Sequence, residues 1–165
     1  MRLGLCLWSC LAGLTCLFCF GECFAIAEST VTVLPEEEVT WAVGGAGGAY
    51  FFATEGTLTI EVYKRDLHRH NRVTELRAIL VSPDRRVLDE ARIPDDGLPT
   101  GKGLGPFQMV RLETKVDRPG VYSLNITISQ DRYGEEIAWG FRTNCPHYVI
   151  ETARGHRDEA HREPI

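Results

Sequence analysis

Cysteine is nearly absent from this chain once its first 23 residues are set aside. The sequence has 165 residues and six cysteines, of which five are Cys6, Cys10, Cys16, Cys19 and Cys23. Without that segment only Cys145 remains, and a single thiol cannot form an internal disulfide. A disulfide framework is therefore excluded, and we expect a hydrophobic core to hold the folded domain together.

Positive charge and catalytic motifs are also scarce. Lysine and arginine total 18 against 23 aspartates and glutamates, giving a net charge of −5. This balance argues against nucleic acid or an anionic membrane as the main partner. The sequence contains no Gly-x-Ser-x-Gly elbow, no Walker loop and no dinucleotide-binding fingerprint. It therefore gives no indication of an enzyme.

What the sequence does contain begins with an export signal. Residues 3–20 carry no charge and follow Arg2, and the small-x-small triplet 25–27 (AIA) comes shortly after them. This pattern predicts a signal peptide over residues 1–27, cleaved before Glu28, and a secreted, periplasmic or cell-surface location with no stable membrane span after cleavage. Two alternatives remain open: an uncleaved anchor, and lipid attachment at Cys10.

The rest of the chain has the pattern of short β-strands. Runs rich in β-branched and aromatic residues alternate with Gly, Pro and Asp turns, which predicts an all-β fold. The runs cover residues 30–34, 38–43, 49–54, 57–63, 75–82, 86–93, 107–116, 120–129, 136–143 and 146–152. About ten strands in one domain predict an antiparallel β-sandwich over residues 28–152, followed by a charged tail or linker at 153–165. Residues 64–74 are the least strand-like part of the body.

Several of these runs resemble a known family. They are similar to the strands and turns of bacterial pre-peptidase C-terminal (PPC) domains. The similar segments are residues 47–53 and 56–62, the apolar run with its Pro-Asp turn at 76–84, and the Gly-x-Tyr pattern within 118–126. The resemblance covers about residues 38–128. It implies a small jelly-roll-like sandwich that accompanies secreted enzymes without being catalytic, with links to substrate binding, solubility and sometimes calcium. The chain departs from that pattern by continuing with residues 139–146 (WGFRTNCP).

Two aromatic residues are candidates for a carbohydrate-binding site. Tyr133 lies in the polar turn 131–134, where its ring would be exposed, and Trp139 lies in the run 136–143. Sugar-binding proteins stack aromatic rings on pyranose faces. However, Ile137, Trp139 and Phe141 share one face of a strand by the two-residue period, which is typical of a core strand.

Metal binding has candidates in two places. Asp95 and Asp96, beside Pro94 and Gly97, could bind calcium through carboxylate and turn oxygens, or could stabilise a turn through their own backbone. His156 and His161 could bind a metal in the tail, or could belong to a solvated tail. The pair His68-x-His70 lacks an evident third ligand and lies among basic residues, which favours ordinary titratable histidines.

The sequence also contains one N-glycosylation sequon. It spans residues 125–127, and the alternation in its strand predicts that Asn125 faces outward, where it could carry a glycan or simply face solvent. Cys145 and His147 are neighbours along the chain, but two positions on a strand lie too far apart for a thiol–imidazole hydrogen bond.

Together these observations predict an exported, non-catalytic binding or stabilising module. Its ligand would be a polysaccharide, a peptide or a neighbouring catalytic domain. We expect no cofactor, with calcium as the one alternative. An alternative is the N-terminal accessory part of a secreted hydrolase or lyase whose catalytic domain lies beyond residue 165. A third is a small metalloenzyme built on His156 and His161.

Overall fold

The computed structural model describes residues 30–131 and 133–151. These residues form ten strands and one short 3-10 helix, Glu36–Glu38. The strands are β1 (Thr32–Leu34), β2 (Val43–Gly44), β3 (Gly47–Ala53), β4 (Gly56–Asp66), β5 (Leu76–Val81), β6 (Val87–Ile93), β7 (Phe107–Val116), β8 (Gly120–Ile128), β9 (Ile137–Thr143) and β10 (Tyr148–Glu151). The predicted signal peptide and charged tail lie outside the described residues.

The strands form two antiparallel five-stranded sheets. The first sheet has the order β1-β7-β4-β9-β2, and the second has the order β10-β3-β8-β5-β6. The prediction of an all-β fold with antiparallel sheets is thereby confirmed. Most predicted strands end within one or two residues of the observed ones, and β7 has the predicted bounds of 107–116.

Both sheets contribute to one hydrophobic core. Phe51 of the second sheet and Phe141 of the first lie with ring centroids 5.3 Å apart in an edge-on arrangement. The alternation predicted for β8 is confirmed, because Leu124 and Ile126 are buried while Asn125 between them is exposed. Alternate strand positions point to opposite faces, so β8 has one buried and one solvent-facing side, whereas the end of β4 is buried on both faces over residues 62–66.

Two predicted segments differ from the structure. The predicted strand 38–43 is wrong, since Glu36–Glu38 is a 3-10 helix and β2 contains only Val43 and Gly44. Trp41, between them, instead packs its ring edge-on against Phe141, with centroids 4.9 Å apart. Strand β4 continues past residue 63 to Asp66, because its ladder with β9 runs on to the pair of Asp66 and Ile137.

No helix among the described residues has the length and apolar character needed to cross a membrane.

Candidate functional site

An exposed apolar patch lies on the outer face of the second sheet. It consists of Tyr50 and Phe52 on β3, Val121 on β8 and Val149 on β10, with exposed fractions of 44, 51, 53 and 68%. We call these four residues the platform. Large contiguous apolar patches are rare on the surfaces of monomeric proteins and often mark sites of interaction.

The platform follows from the strand register. Tyr50 is paired with Val149, and Phe52 is paired with Val121. Directly opposed residues on neighbouring antiparallel strands have Cβ atoms about 4.5–5.5 Å apart, so the four side chains form a continuous surface. The intervening Phe51 points inward and is fully buried. The rest of β3 therefore anchors the platform on the core.

Two shallow depressions flank Phe52, each with a volume of about 380 Å³. The first is the apolar one and is lined by the platform together with Pro146, His147 and Tyr148. The second is more polar, and its lining includes Thr54, Glu55, Thr57, Asn144 and His147. Because Phe52 and His147 line both, a ligand lying across Phe52 would meet an apolar surface on one side and hydrogen-bonding groups on the other.

A tyrosine–carboxylate pair borders the platform. The hydroxyl of Tyr50 donates a hydrogen bond to Oε2 of Glu151, with a distance of 2.9 Å. This bond, and the negative charge of Glu151, raise the pKa of Tyr50 above its ordinary value. Tyr50 is therefore a neutral phenol at physiological pH, with an apolar ring and a polar edge.

The outer face of the first sheet has a different character. There Arg142 forms ion pairs with Glu38 and Glu61, and Arg111 forms ion pairs with Glu61 and Glu113. These pairs cover the sheet with charged side chains that already have partners. The platform is thus a local feature of the β10-β3-β8 half of the second sheet.

Trp139 does not lie at this surface. Its side chain is fully buried, and its Nε1–H donates to the carbonyl of Gly45 over 2.7 Å. Its ring also packs edge-on against Trp41, with centroids 6.1 Å apart. The predicted ligand-binding role of Trp139 is therefore corrected: a ring enclosed in the core cannot stack on a sugar. The core alternative agrees with this placement.

Tyr133 lies where the sequence predicts it, exposed in the turn before β9. The neighbouring Gly134 approaches Gly44 so closely that a Cβ on either glycine would clash with the other's backbone. This turn thus lies against β2, at the edge of the first sheet, rather than on the platform. The structure does not bring Tyr133 and Trp139 together into one site.

The carboxylates of Asp95 and Asp96 bind backbone groups. Asp95 accepts hydrogen bonds from the N–H groups of Thr74 and Gly97, at 3.0 and 2.9 Å. Burial alone would raise the pKa of Asp95, but these bonds and the nearby Lys64 outweigh burial and lower it. Asp96 accepts from the N–H of Leu98 at 2.9 Å. The geometry agrees with the turn-forming alternative, in which both residues anchor their own loop.

Within residues 30–131 and 133–151, no three His, Cys, Asp or Glu side chains converge on a position where they could hold a metal ion. The predicted calcium role of Asp95 and Asp96 therefore gains no support from their surroundings. His156 and His161 lie outside the described residues, so the tail metal site stays a prediction.

Two other sequence candidates have clear positions. Asn125 is exposed on the outer face of β8, paired across the ladders with Gly48 and Ile79. Glycosylation there stays a prediction. Cys145 is a buried free thiol, and its Sγ lies 3.3 Å from the carbonyl oxygen of Phe52 and 3.4 Å from that of His147.

A buried polar network at the end of β4 was not foreseen. The ammonium group of Lys64 is fully buried and contacts three oxygens: the carbonyls of Thr74 and Pro94 at 3.0 and 2.8 Å, and Oδ2 of Asp66 at 2.9 Å. Asp66 also accepts from the hydroxyl of Thr74 at 2.6 Å and from the N–H of Asp96 at 3.2 Å. All three donors of Lys64 are satisfied, so the network ties two loops to the strand.

Comparison of the chain with protein-family models, with curated proteins and with solved structures finds no match in any of the three.

Proposed function

We propose that this chain is an exported, non-catalytic β-sandwich module that binds polysaccharide through the platform. The observation that carries the proposal is the continuous exposed surface of Tyr50, Phe52, Val121 and Val149 on one sheet face. The core shared by the two sheets supports the sandwich arrangement. The apolar run and small-x-small triplet of residues 1–27 support export.

A pyranose ring suits this surface because its two sides differ chemically. The axial C–H groups of a sugar face present an apolar, weakly positive surface, which complements the negative face of an aromatic ring. Tyr50 and Phe52 supply two such rings two positions apart on one strand, about 6.5–7 Å along its axis. Neighbouring sugars of a chain could therefore contact neighbouring rings.

The hydroxyl groups of the same sugar require polar partners at the rim. Glu151 lies beside the phenol of Tyr50, and Glu55, Thr57 and His147 line the polar depression on the other side of Phe52. These groups offer both donors and acceptors to hydroxyls around the ring edge. A shallow, open site of this kind suits a chain that runs past it rather than a small molecule that is enclosed.

Thermal unfolding in the presence of a panel of soluble polysaccharides tests the proposal. A ligand at 100 times its dissociation constant stabilises the folded state by about 2.7 kcal/mol, which raises Tm by several degrees. We expect at least one polysaccharide to do so, and Phe52→Ala to abolish the shift. Tyr50→Phe, which keeps the ring and removes the hydroxyl, should weaken the shift without abolishing it.

Val33→Ala is the matched control. Val33 is 69% exposed on β1 of the first sheet, so its truncation also removes exposed apolar surface but leaves the platform intact. Its Tm shift with the same polysaccharide should equal that of the unaltered chain. The proposal fails if no polysaccharide in the panel raises Tm, or if the shift survives in Phe52→Ala.

A further inference from the structure

We propose that His68 is a proton-dependent latch that fixes the loop of residues 96–105 against the end of strand β4. We call residues 96–105 the latch loop. The latch is separate from the platform, since it consists of a buried histidine beneath a glycine-rich loop. It does not rest on the proposed function.

The geometry of the ring requires two N–H groups. Nδ1 of His68 lies 2.6 Å from the carbonyl oxygen of Gly103, and Nε2 lies 2.8 Å from Oδ1 of Asp96. Both partners are hydrogen-bond acceptors here, and the imidazole is almost fully enclosed. A neutral imidazole has one N–H and one lone pair, so only the imidazolium ion can satisfy both contacts.

The surroundings favour the charged ring. The hydrogen bond to the Gly103 carbonyl is the largest influence and raises the pKa of His68; burial opposes it, and Asp96 adds to it, so the pKa lies above the ordinary value of 6.5. The charges of three carboxylates act on the ring: those of Asp66 at the end of β4, of Asp95 just before the latch loop, and of Asp96 at its start. Lys64 is paired with Asp66, and His70 contacts Glu136.

Loss of the proton would remove one of the two hydrogen bonds that the ring donates to the loop, since a neutral imidazole keeps a single N–H group. Oδ2 of Asp96 is buried and has no hydrogen-bond partner among the described residues, so this carboxylate depends on its other oxygen. Three bonds between the loop and residues 66–68 do not involve the ring. The N–H of Gly101 donates to the carbonyl of His68 and the N–H of Gly105 donates to the carbonyl of Asp66, each over 2.9 Å, and the N–H of Asp96 donates to Oδ2 of Asp66 over 3.2 Å.

The composition of the latch loop makes it dependent on such contacts. Gly97, Gly101 and Gly103 have φ angles of 75°, 81° and 85°, and glycine adopts this left-handed conformation at little steric cost but leaves the chain free to move. Leu98 and Leu104 are both exposed and contribute little to the core. The loop is therefore held by polar contacts rather than by packed side chains.

The pH dependence follows from the direction of the pKa shift. A histidine whose pKa is raised on folding stabilises the folded form fully below the pKa of the unfolded chain, about 6.5, and this contribution is lost as the pH rises through the folded pKa. The latch loop is accordingly fixed under acidic conditions and released under alkaline ones.

Nuclear magnetic resonance of the full chain from pH 5.5 to 9 tests the latch. The ¹⁵N shifts of both ring nitrogens report the protonation of His68, and amide exchange, corrected for intrinsic rates, reports opening of the loop. We expect His68 to titrate above pH 6.5, and protection of the Gly101 amide to fall at least tenfold with the same midpoint. A neutral ring at pH 6, or unchanged protection across the titration, would overturn the proposal.

Two variants separate proton control from a simple structural role. In Asp96→Asn an uncharged acceptor faces Nε2, so the midpoint of loop opening should move to lower pH. His68→Asn removes the titrating ring, and asparagine tolerates the left-handed φ of 51° at this position; loop protection should then lose its pH dependence over this range. His147→Gln, which alters an exposed histidine elsewhere, should leave the titration unchanged. An unmoved midpoint in Asp96→Asn, or loop titration that persists in His68→Asn, would contradict the latch.

Discussion

Replacement of Lys64 by methionine should destabilise the fold strongly, although the two side chains have similar length and methionine is the more hydrophobic. The change removes three hydrogen bonds from a fully buried site. It leaves the carbonyls of Thr74 and Pro94 and one oxygen of Asp66 without the ammonium group. Removal of one partner of a buried ion pair costs about 3–5 kcal/mol, because the remaining charge is uncompensated.

The expected loss in the free energy of unfolding for Lys64→Met lies within about 3–5 kcal/mol rather than above it. Asp66 keeps its hydrogen bonds from the Thr74 hydroxyl and the Asp96 N–H, which continue to stabilise its negative charge. The double variant Lys64→Met with Asp66→Asn should cost less than the sum of the two single changes, with a coupling free energy of about 0.5–3 kcal/mol.

Urea unfolding followed by tryptophan fluorescence measures these free energies, since Trp139 lies in the core. The control is Lys115→Met, which alters a lysine whose side chain is 84% exposed and forms a surface ion pair with Asp117. A surface change of this kind should stay within about 0.5 kcal/mol of the unaltered chain. A loss below about 1 kcal/mol for Lys64→Met would refute the argument that the network ties the loops to β4.

Three further predictions concern single positions. Gly48→Ala should destabilise the domain by about 1–3 kcal/mol or more in urea unfolding, since its Cβ would lie 2.2 Å from the carbonyl oxygen of Leu124; unchanged stability would contradict the register of β3 and β8. Cys145 should resist a thiol reagent in the folded chain and react once urea unfolds it, because it is 6% exposed; rapid labelling of the folded chain would show that the thiol is accessible. Expression in a glycosylating eukaryotic host should add glycan mass that Asn125→Gln removes, and an equal mass for both chains would reject the sequon.

The fold class was predictable from the sequence because β-strands leave a local signal. In β8 the alternation of Leu124, Asn125 and Ile126 predicts which face of the strand is buried, and the structure confirms that prediction. The strand predicted before β2 was wrong because Trp41 has the character of a strand residue, whereas its partly buried ring packs against the core through Trp139 and Phe141, which are distant in sequence.

The platform was missed for a related reason. Strand β3 reads Ala49, Tyr50, Phe51, Phe52, Ala53, which is apolar at every position, so its sequence does not indicate which face is exposed. The register with β8 and β10 decides that, and register is a tertiary property. The nearest signal in the sequence was the run of three consecutive aromatic residues, Tyr50 to Phe52. A strand that buries only one face needs aromatic residues at alternate positions, so at least one of these three had to be exposed.

The end of β4 was missed because its residues are charged. Lys64, Arg65 and Asp66 are buried within a strand, against the usual preference of such residues for the surface. The loops 67–75 and 94–105 bring the partners of Lys64 and Asp66, whereas Arg65 pairs with Glu36 and lies over the ring of Phe107. Only the assembled structure shows that Lys64 has an oxygen partner for each of its protons.

The central claim, polysaccharide binding at the platform, is tested most directly by mapping amide chemical shifts during titration with a polysaccharide that raises Tm. The account predicts that the largest changes lie at Tyr50, Phe52, Val121 and Val149 and saturate with one dissociation constant. Largest changes on the ion-paired outer face of the first sheet, around Arg111 and Arg142, would contradict it.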